Sequence, residues 1–242
     1  MYIEIAFTQE ELSRFDLQNK IVVAIDVLRA TSTITAALQY GAESIISLID
    51  IEKAVFLKKE LPNALLCGER EGRKIPGFDK GNSPLEYSAE VTGKTLLFSS
   101  TNGSRTIDKA GNAKKLYMGA LNNAEALAEK LLTEDSDSEF FFACSGKITD
   151  PCMEDTLCAG YLVWLIAEKN NKVILSDAAV MARDLFLYHR QNIYAAVAAS
   201  EHGQYLIECG FESDVEFCSR LDISNTIPVY DKFEKKIVKW LD

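Results

Sequence analysis

The stretch "IVVAIDVLRATSTITAALQYGAESIISLID", residues 21–50, decides the fold class. Its first and last parts, "IVVAIDVL" (21–28) and "SIISLI" (44–49), are apolar runs of strand length. The first run is apolar at consecutive positions, which is typical of strands that are covered on both faces. The segment between the two runs, 31–40, predicts a helix. A strand, a helix and a second strand in this order indicate an α/β protein.

The same alternation continues along the rest of the chain. It predicts an α/β fold in three layers, α/β/α, built on a mostly parallel or mixed sheet. Further strands are expected in "YIEIAF", "ALLCGE", "TLLFSS", "KLYMGA", "EFFFAC" and "KVILS". Further helices are expected at 51–60, 103–110, 122–133, 154–169 and 177–200. Such sheets bind ligands at the carboxyl ends of their strands, so the residues that follow each strand are the candidates for function.

Two segments share one order of elements and indicate an internal duplication. Near 20–60 and near 95–130 the chain runs strand, polar loop, helix, glycine, strand and helix. We therefore expect a single domain over 1–242, with two similar halves packed closely together. An accidental likeness is the alternative, because all β–α units share this order.

Composition argues against several functions. The 242 residues are 48% hydrophobic, which is enough to bury a full core. The net charge of −10 argues against nucleic acid or an anionic membrane as a partner. No apolar run has transmembrane length, and the acidic N-terminus reads as a first strand rather than a secretory signal. The six cysteines lack a zinc-binding spacing and indicate free thiols in the cytoplasm. We also expect a small anionic substrate and a homodimer.

Asp26 and Arg29 follow the first strand of the opening stretch. A Ser/Thr cluster comes directly after them and opens a helix, whose N-terminal amides attract anions. A carboxylate and a guanidinium at this position predict a crevice that binds a charged ligand. The alternative is that Asp26 and Arg29 only pair with each other.

Polar turns follow two more strands. "TNGSRTI" (101–107) predicts a tight turn that presents backbone amides, hydroxyls and a guanidinium to an anion. "SGK" (145–147) follows "EFFFAC" but lacks the full spacing of a nucleotide P-loop. Glu154 and Asp155 then open a helix, where a carboxylate also stabilises the helix dipole.

The loop "GEREGRKIPGFDKGNSPLE" (68–86) has neither a helical nor a strand period. Loops of this length without regular structure are usually functional or disordered, and its glycines allow close approach to a ligand. We expect it to reach over the crevice, with "NSP" (82–84) anchoring its return. The carboxylates of Glu69 and Asp79 would then face a metal. The guanidiniums of Arg70 and Arg73 would face the substrate.

Together these loops hold the groups that a Mg²⁺-assisted phosphoryl site requires. The candidate metal ligands are Asp26, Glu69, Asp79, Glu154 and Asp155. The candidate catalytic residues are Asp26, Arg29 and Glu69. The candidate substrate-binding residues are Arg70, Arg73, Asn102, Gly103, Ser104, Arg105, Ser145, Gly146 and Lys147. Arg29 is expected to hold the phosphoryl group, and Arg70 and Arg73 a distal carboxylate or sulfonate.

The chain resembles the 2-phosphosulfolactate phosphatase family over nearly its whole length. The matching pieces are "DVLRATSTI" (26–34), the loop at 68–86, "TNGSRTI" (101–107), "CSGK" (144–147), "EDTLCAG" (154–160) and "HGQYLIECGFESDVEFC" (202–218) before "IPV". The resemblance implies a three-layer α/β fold and a Mg²⁺-dependent enzyme. It also implies hydrolysis of the phosphate ester of 2-phospho-3-sulfolactate to 3-sulfolactate and phosphate, a step of coenzyme M synthesis. The residue roles above are inferred from the residues themselves.

Two other functions remain open from the sequence. Cys67 and Arg73 have the C-x5-R spacing of cysteine phosphatases, but two glutamates inside that segment would repel phosphate and raise the pKa of the thiol. A module that only binds small sulfonated or phosphorylated acids is the other alternative. An aspartyl-phosphate route lacks its second aspartate, so direct attack by metal-bound water is expected.

Three polar residues of the C-terminal part have secondary assignments. His202 stands at a helix opening and is a candidate for an acid or for support of the site. Asp214 and Asp222 are predicted to cap short segments.

Overall fold

The apolar runs form strands in the computed structural model, which describes residues 1–135 and 138–241. Every strand predicted from such a run is present within these ranges. The strands are β1 (Tyr2–Ala6), β2 (Ile21–Ile25), β3 (Ser44–Ser47), β4 (Leu65–Arg70), β5 (Arg73–Lys74), β6 (Thr95–Ser99), β7 (Lys115–Gly119), β8 (Glu139–Cys144), β9 (Ile174–Leu175), β10 (Pro228–Asp231) and β11 (Lys236–Lys239). The short strand β5 and the hairpin β10–β11 were not predicted.

The helices cover every predicted stretch, one of which is divided, and include three short helices outside those stretches. They are α1 (Gln9–Leu12), α2 (Ala30–Gln39), α3 (Ile51–Glu60), α4 (Gly103–Ala110), α5 (Ala124–Leu132), α6 (Met153–Lys169), α7 (Asp177–His189), α8 (Ile193–Ala199), α9 (Glu201–Glu208) and α10 (Glu212–Cys218). The stretch predicted at 177–200 divides into α7 and α8. Asn192 causes the break, because its side chain accepts the N–H of Ala195 and starts a new helix.

One mixed sheet of 11 strands runs through the described residues in the order β5-β4-β6-β3-β11-β10-β7-β2-β8-β1-β9. The block β4-β6-β3 is parallel within itself, and so is the block β7-β2-β8-β1-β9. The hairpin β10–β11 joins the blocks through antiparallel pairs on both sides. The two blocks therefore run in opposite directions, and the prediction of a mixed sheet is confirmed.

Alternate residues of β2 bury themselves on opposite faces of the sheet. Ile21, Val23 and Ile25 belong to one apolar cluster, which also holds residues of α5, α6 and α7. Val22 and Ala24 belong to a second cluster, which holds residues of α2 and α4. A two-residue period of this kind places helices on both faces. The predicted three-layer α/β/α arrangement is confirmed.

The site depends on the twist of this sheet. β2 and β4 stand six places apart and run in opposite directions. Right-handed twist rotates successive strands by about 20–25°, so six steps turn the strand direction through about 120–150°. This rotation offsets most of the difference in direction between β2 and β4, so the carboxyl ends of the two strands converge. The contact that shows this is the hydrogen bond from Arg29, after β2, to the carbonyl of Gly72, after β4.

The predicted duplication and the single domain stay predictions. β2-α2-β3-α3 and β6-α4-β7-α5 share their order of elements, but unrelated β–α units share it as well. A separate observation concerns membranes: no helix of the described residues combines the length and apolarity that crossing a bilayer requires.

Candidate active site

A cavity of about 740 Å³ lies where the turns after β2, β4, β6 and β8 meet the start of α9. Its wall includes six residues predicted for the site: Asp26, Arg29, Glu69, Arg70, Asn102 and Lys147. The turns that the sequence analysis singled out separately therefore contribute to one crevice.

Three buried carboxylates form the base of this site. Asp26 ends β2 and lines the cavity, while Glu154 and Asp155 lie in the first turn of α6, fully enclosed by protein. Asp155 accepts the N–H of Val27 at 2.8 Å and that of Gly146 at 3.1 Å. These two bonds fix the turns after β2 and β8 around the carboxylates.

The charges of these carboxylates destabilise one another. Burial raises the pKa of Asp26 to about 6; the Ala30 N–H and His202 oppose the shift, and Glu69 and Glu154 add to it. Burial also raises the pKa of Asp155 well above its ordinary range, with Asp26 and Glu154 adding to the effect. Buried carboxylates that repel one another are relieved either by protonation or by a bound cation.

The donor set fits a hard divalent cation that is shared with other ligands. Glu154 is only 2% exposed, and its Oε2 has no hydrogen-bond partner within the described residues. In the same part of the chain, no three His, Cys, Asp or Glu side chains converge as a complete protein cage would require. Mg²⁺ does not need such a cage, because it usually binds one or two carboxylates together with water and substrate phosphate.

Glu69 lines the cavity and fixes two of its loops. Its carboxylate accepts the N–H of Thr101 at 2.7 Å and that of Gly72 at 2.9 Å, so each oxygen holds one turn. Glu69 thus adds negative charge beside Asp26 and joins the turn after β6 to the long loop.

Asp79 is not brought to the cavity, so its position does not favour the predicted role as a metal ligand. The residue is exposed, and its carboxylate accepts the N–H of Leu66 at 2.8 Å. That bond closes the long loop back onto β4. A carboxylate in the middle of a functional loop is therefore a turn residue here.

Arg29 is buried at 2% exposure and belongs to a polar cluster. Its Nη1 lies 2.5 Å from Asp214 Oδ2, its Nη2 donates to the Gly72 carbonyl, and its guanidinium lies 4.1 Å from the Phe211 ring centroid. The alternative of an Asp26–Arg29 pair is therefore excluded. Asp214 was predicted as a cap, and it is instead the ion-pair partner, which also accepts the Ser83 hydroxyl at 2.6 Å.

The other predicted arginines differ in position. Arg70 lines the cavity, but it donates to the carbonyls of Glu69 and Ile49 and to the Ser99 hydroxyl. Arg73 and Arg105 are exposed and stand outside the cavity wall, so their positions do not favour the predicted role in substrate binding. Arg73 lies on the exposed strand β5, and Arg105 points its Nε to the Thr101 carbonyl at 3.2 Å.

The small predicted residues support the cavity from behind. Ser104 exchanges hydrogen bonds with Ser100 at 2.9 and 3.0 Å, which fixes the start of α4. The Ser145 hydroxyl lies 2.8 Å from Thr106 Oγ1, and the Gly146 N–H is bonded to Asp155. The polar groups of these residues therefore hold neighbouring segments of the protein together. Lys147, in contrast, lines the cavity and pairs with Glu201 at 2.8 Å.

Gly103 stands where a side chain would enter the site. A Cβ at this position would lie 2.5 Å from the Ala30 Cβ and 2.8 Å from Asp26 Oδ2. We expect Gly103→Ala to displace α4 from Asp26, which would lower kcat/KM and reduce the free energy of unfolding by about 1–3 kcal/mol. Gly111→Ala is the matched control at the other end of α4, because its Cβ would approach no atom closer than 3.3 Å. Steady-state kinetics and urea titration of both variants measure the difference, and equal behaviour would contradict the expectation.

The structure argues against the cysteine-phosphatase alternative. Cys67 is fully buried in β4 and Arg73 is exposed, and neither residue lines the cavity. Burial raises the pKa of the Cys67 thiol to about 12, so a thiolate is absent at neutral pH. We expect Cys67→Ser to retain at least about half of the wild-type kcat, with a small loss of stability from the buried hydroxyl. A folded variant without activity would restore the nucleophile.

Sequence reasoning assigned no role at the site to Asn82 or Tyr205. Asn82 lines the cavity at 5% exposure, and its Oδ1 lacks a partner in the described part of the chain. Tyr205 on α9 also lines the cavity, and its hydroxyl donates to the Glu71 carbonyl at 2.9 Å, which ties the long loop to the helix. The "NSP" turn was a signal for Asn82, whereas a tyrosine on a surface helix gives no signal.

Three helix N-termini point positive potential at the cavity. The N-cap residues of α2 and α4, Arg29 and Asn102, line it, and so does His202 in the first turn of α9. Helix dipoles at such ends attract anions. The cavity therefore joins a carboxylate cluster, suited to a cation, to a wall suited to phosphate, carboxylate or sulfonate.

Comparison with known proteins agrees with this arrangement. The sequence family described as 2-phosphosulpholactate phosphatase matches residues 6–232. A protein of Carboxydothermus hydrogenoformans, named "Probable 2-phosphosulfolactate phosphatase", is 43% identical over 94% of this chain and 92% of its own. Proteins with the same name from Pseudothermotoga lettingae and Clostridium acetobutylicum are 39% and 34% identical, each over 97% of this chain and 99% of its own. The chain belongs to the 2-phosphosulpholactate phosphatase family.

Proposed function

We propose that this protein is a Mg²⁺-dependent phosphatase that hydrolyses the phosphate ester of 2-phospho-3-sulfolactate to 3-sulfolactate and phosphate. The observation that carries the proposal is the set of buried, mutually repelling carboxylates beside a cavity with three helix N-termini. The names of its relatives supply the substrate. A substrate with a phosphate, a carboxylate and a sulfonate suits such a wall.

Asp26 and Glu154 are the residues that would hold Mg²⁺ together with water and substrate phosphate. Asp155, whose two oxygens accept backbone N–H groups, and Glu69 would add charge nearby. When bound, the ion supplies Lewis-acid stabilisation of phosphate oxygens and a more acidic water. The orphaned Glu154 Oε2 and the raised pKa values of Asp26 and Asp155 support this set. We propose that water attacks phosphorus directly and that no aspartyl-phosphate intermediate forms. The turn after β2 has one aspartate, Asp26, and lacks the second aspartate that aspartyl-phosphate enzymes have two residues further on.

The chain's own residues bind and orient the substrate. Among the cations of the cavity wall, Lys147 has the weakest ion pair, since its partner Glu201 is an exposed carboxylate. Lys147 can therefore exchange that partner for an anionic substrate. The N-terminus of α4, next to Asn102, adds the positive end of a helix dipole to the wall, although its Ser104, Arg105 and Thr106 amides are bonded to protein oxygens. Arg29 and Arg70 give their N–H groups to protein oxygens, so they contribute charge and fix the geometry of the wall.

We further propose a reaction of the coenzyme M synthesis type, in the cytoplasm, by a homodimer that does not bind nucleic acid. The six cysteines form no disulfide, which is in keeping with a reducing compartment. The net charge of −10 is in keeping with a partner other than nucleic acid.

Phosphate release from a panel of phosphorylated hydroxy acids tests this function. We expect the highest kcat/KM with 2-phospho-3-sulfolactate, lower values with 2-phospholactate, and loss of activity with EDTA that Mg²⁺ restores. Turnover that is unchanged by EDTA would reject the metal. Tight binding of the sulfonated acid without phosphate release would favour the binding module instead.

A further inference from the structure

His202 lines the cavity and has one free ring nitrogen. Its Nε2 lies 3.0 Å from the Leu28 carbonyl oxygen. A carbonyl only accepts, so Nε2 carries the proton of this bond. Nδ1 is buried and has no partner within the described residues. Nδ1 is therefore the ring nitrogen that no described residue engages, and a small movement of the ring or of the wall would open it to a ligand or to water.

Most other titratable groups of the cavity wall are committed elsewhere, and the remaining one, Glu71, has an exposed carboxylate. The Glu69 side chain accepts two backbone N–H groups, and Lys147 is paired with Glu201. The Tyr205 hydroxyl donates to the Glu71 carbonyl. Asp26 belongs to the carboxylate cluster, and arginines do not titrate in proteins. Among the described residues of this wall, His202 is therefore the imidazole whose second ring nitrogen is engaged by no other residue.

We propose that His202 is the general acid that protonates the leaving oxygen, an inference that rests on the proposed phosphatase function. Water attacks phosphorus while the ester P–O bond breaks and its electron pair passes to the ester oxygen. That oxygen takes the proton from Nδ1 of the imidazolium and leaves as the alcohol. The attacking water loses a proton to solvent, and solvent returns one to Nδ1, so that the ester and water become the alcohol and hydrogen phosphate.

The chemistry of the substrate requires such a donor. The leaving group is a secondary alcohol, whose anion is a strong base and a poor leaving group. A positioned acid typically contributes 10²–10⁴-fold to the rate of such a step. The hydrogen bond to the Leu28 carbonyl fixes the position of the His202 ring. Leu28 lies between Asp26 and Arg29, so the ring is attached to the turn that carries these two site residues.

A change that keeps the structural bond but removes the acid tests the role. The amide nitrogen of His202→Gln occupies the place of Nε2, so the bond to Leu28 and the fold are retained. His189→Gln is the matched control, because His189 on α7 is not part of the cavity wall. Each variant is measured with 2-phospho-3-sulfolactate, 2-phospholactate and 3,3,3-trifluoro-2-phospholactate, whose alcohol is far more acidic and needs less protonation.

We expect His202→Gln to lower kcat about 10²–10⁴-fold on 2-phospho-3-sulfolactate and 2-phospholactate, and at least about tenfold less on the fluorinated ester. His189→Gln should match the wild type. An equal loss on all three esters would make His202 a base or a positioning residue and overturn the proposal. Near wild-type rates of the variant would overturn it as well. If the wild type releases no phosphate from any of them, the proposed function itself fails.

Discussion

Asp26→Asn is expected to lower kcat by about 10²–10³-fold, because Asp26 connects the cavity to the buried carboxylates. The amide keeps the shape and still accepts the Ala30 N–H, which lies 3.1 Å from Oδ1 in the wild type. It loses the charge that would hold a cation, and such a cation stabilises the transition state by several kcal/mol. Turnover with saturating Mg²⁺ gives the size of the loss.

Two further measurements separate this role from a general disturbance. Calorimetry should show weaker Mg²⁺ binding to Asp26→Asn than to the wild type. The metal-free variant should also unfold at a higher temperature than the metal-free wild type, because one of several repelling buried charges is gone. Asp79→Asn is the matched control, since that carboxylate lies outside the cavity and should change neither quantity. Wild-type Mg²⁺ affinity in Asp26→Asn would remove Asp26 from the ligands.

The fold was largely predictable because its central strands are apolar on both faces. β2 and β8 are continuous buried runs, and such runs stand out against the amphipathic helices that cover them. The hairpin β10–β11 escaped prediction because its strands have four residues each and pair with the neighbouring blocks at only one registered position each. It nevertheless decides that the two blocks run in opposite directions. A local pattern carries no information on such long-range pairing.

The candidate site was predictable where function coincides with a strand end. Asp26, Glu69 and Lys147 follow or end buried strands, and the structure brings all three to the cavity. Residues within the long loop were less predictable. Asp79 and Arg73 are charged loop residues like Glu69 and Arg70, but they lie outside the cavity wall. The partner of Arg29 was beyond prediction, since Asp214 is 185 residues distant in sequence. Charge and spacing show which groups are available, whereas packing decides which of them meet.

The Arg29–Asp214 pair is expected to be the most sensitive polar contact of the fold. The two side chains are 2% and 5% exposed, and together with Ser83 and Gly72 they join α2, the long loop and α10. Asp214→Asn leaves a buried guanidinium without its counter-charge. We expect the free energy of unfolding to fall by about 3–5 kcal/mol. The exposed pair Arg220–Glu216 is the matched control, and Glu216→Gln should cost at most about 1 kcal/mol in the same urea titration.

A double variant then separates stability from catalysis. Arg29→Met with Asp214→Leu replaces the buried pair by apolar side chains of similar size, which is often neutral or stabilising. We expect this variant to recover most of the stability that Asp214→Asn loses, yet to remain at least about tenfold below the wild type in kcat, because Arg29 supplies positive charge to the cavity wall. Recovery of both stability and kcat would show that Arg29 only holds the loops together. A cost of Asp214→Asn no larger than that of Glu216→Gln would show that the pair adds little even to the fold. The buried pair matters for the reaction only if stability returns without activity, since packing can replace the pair and cannot replace the charge.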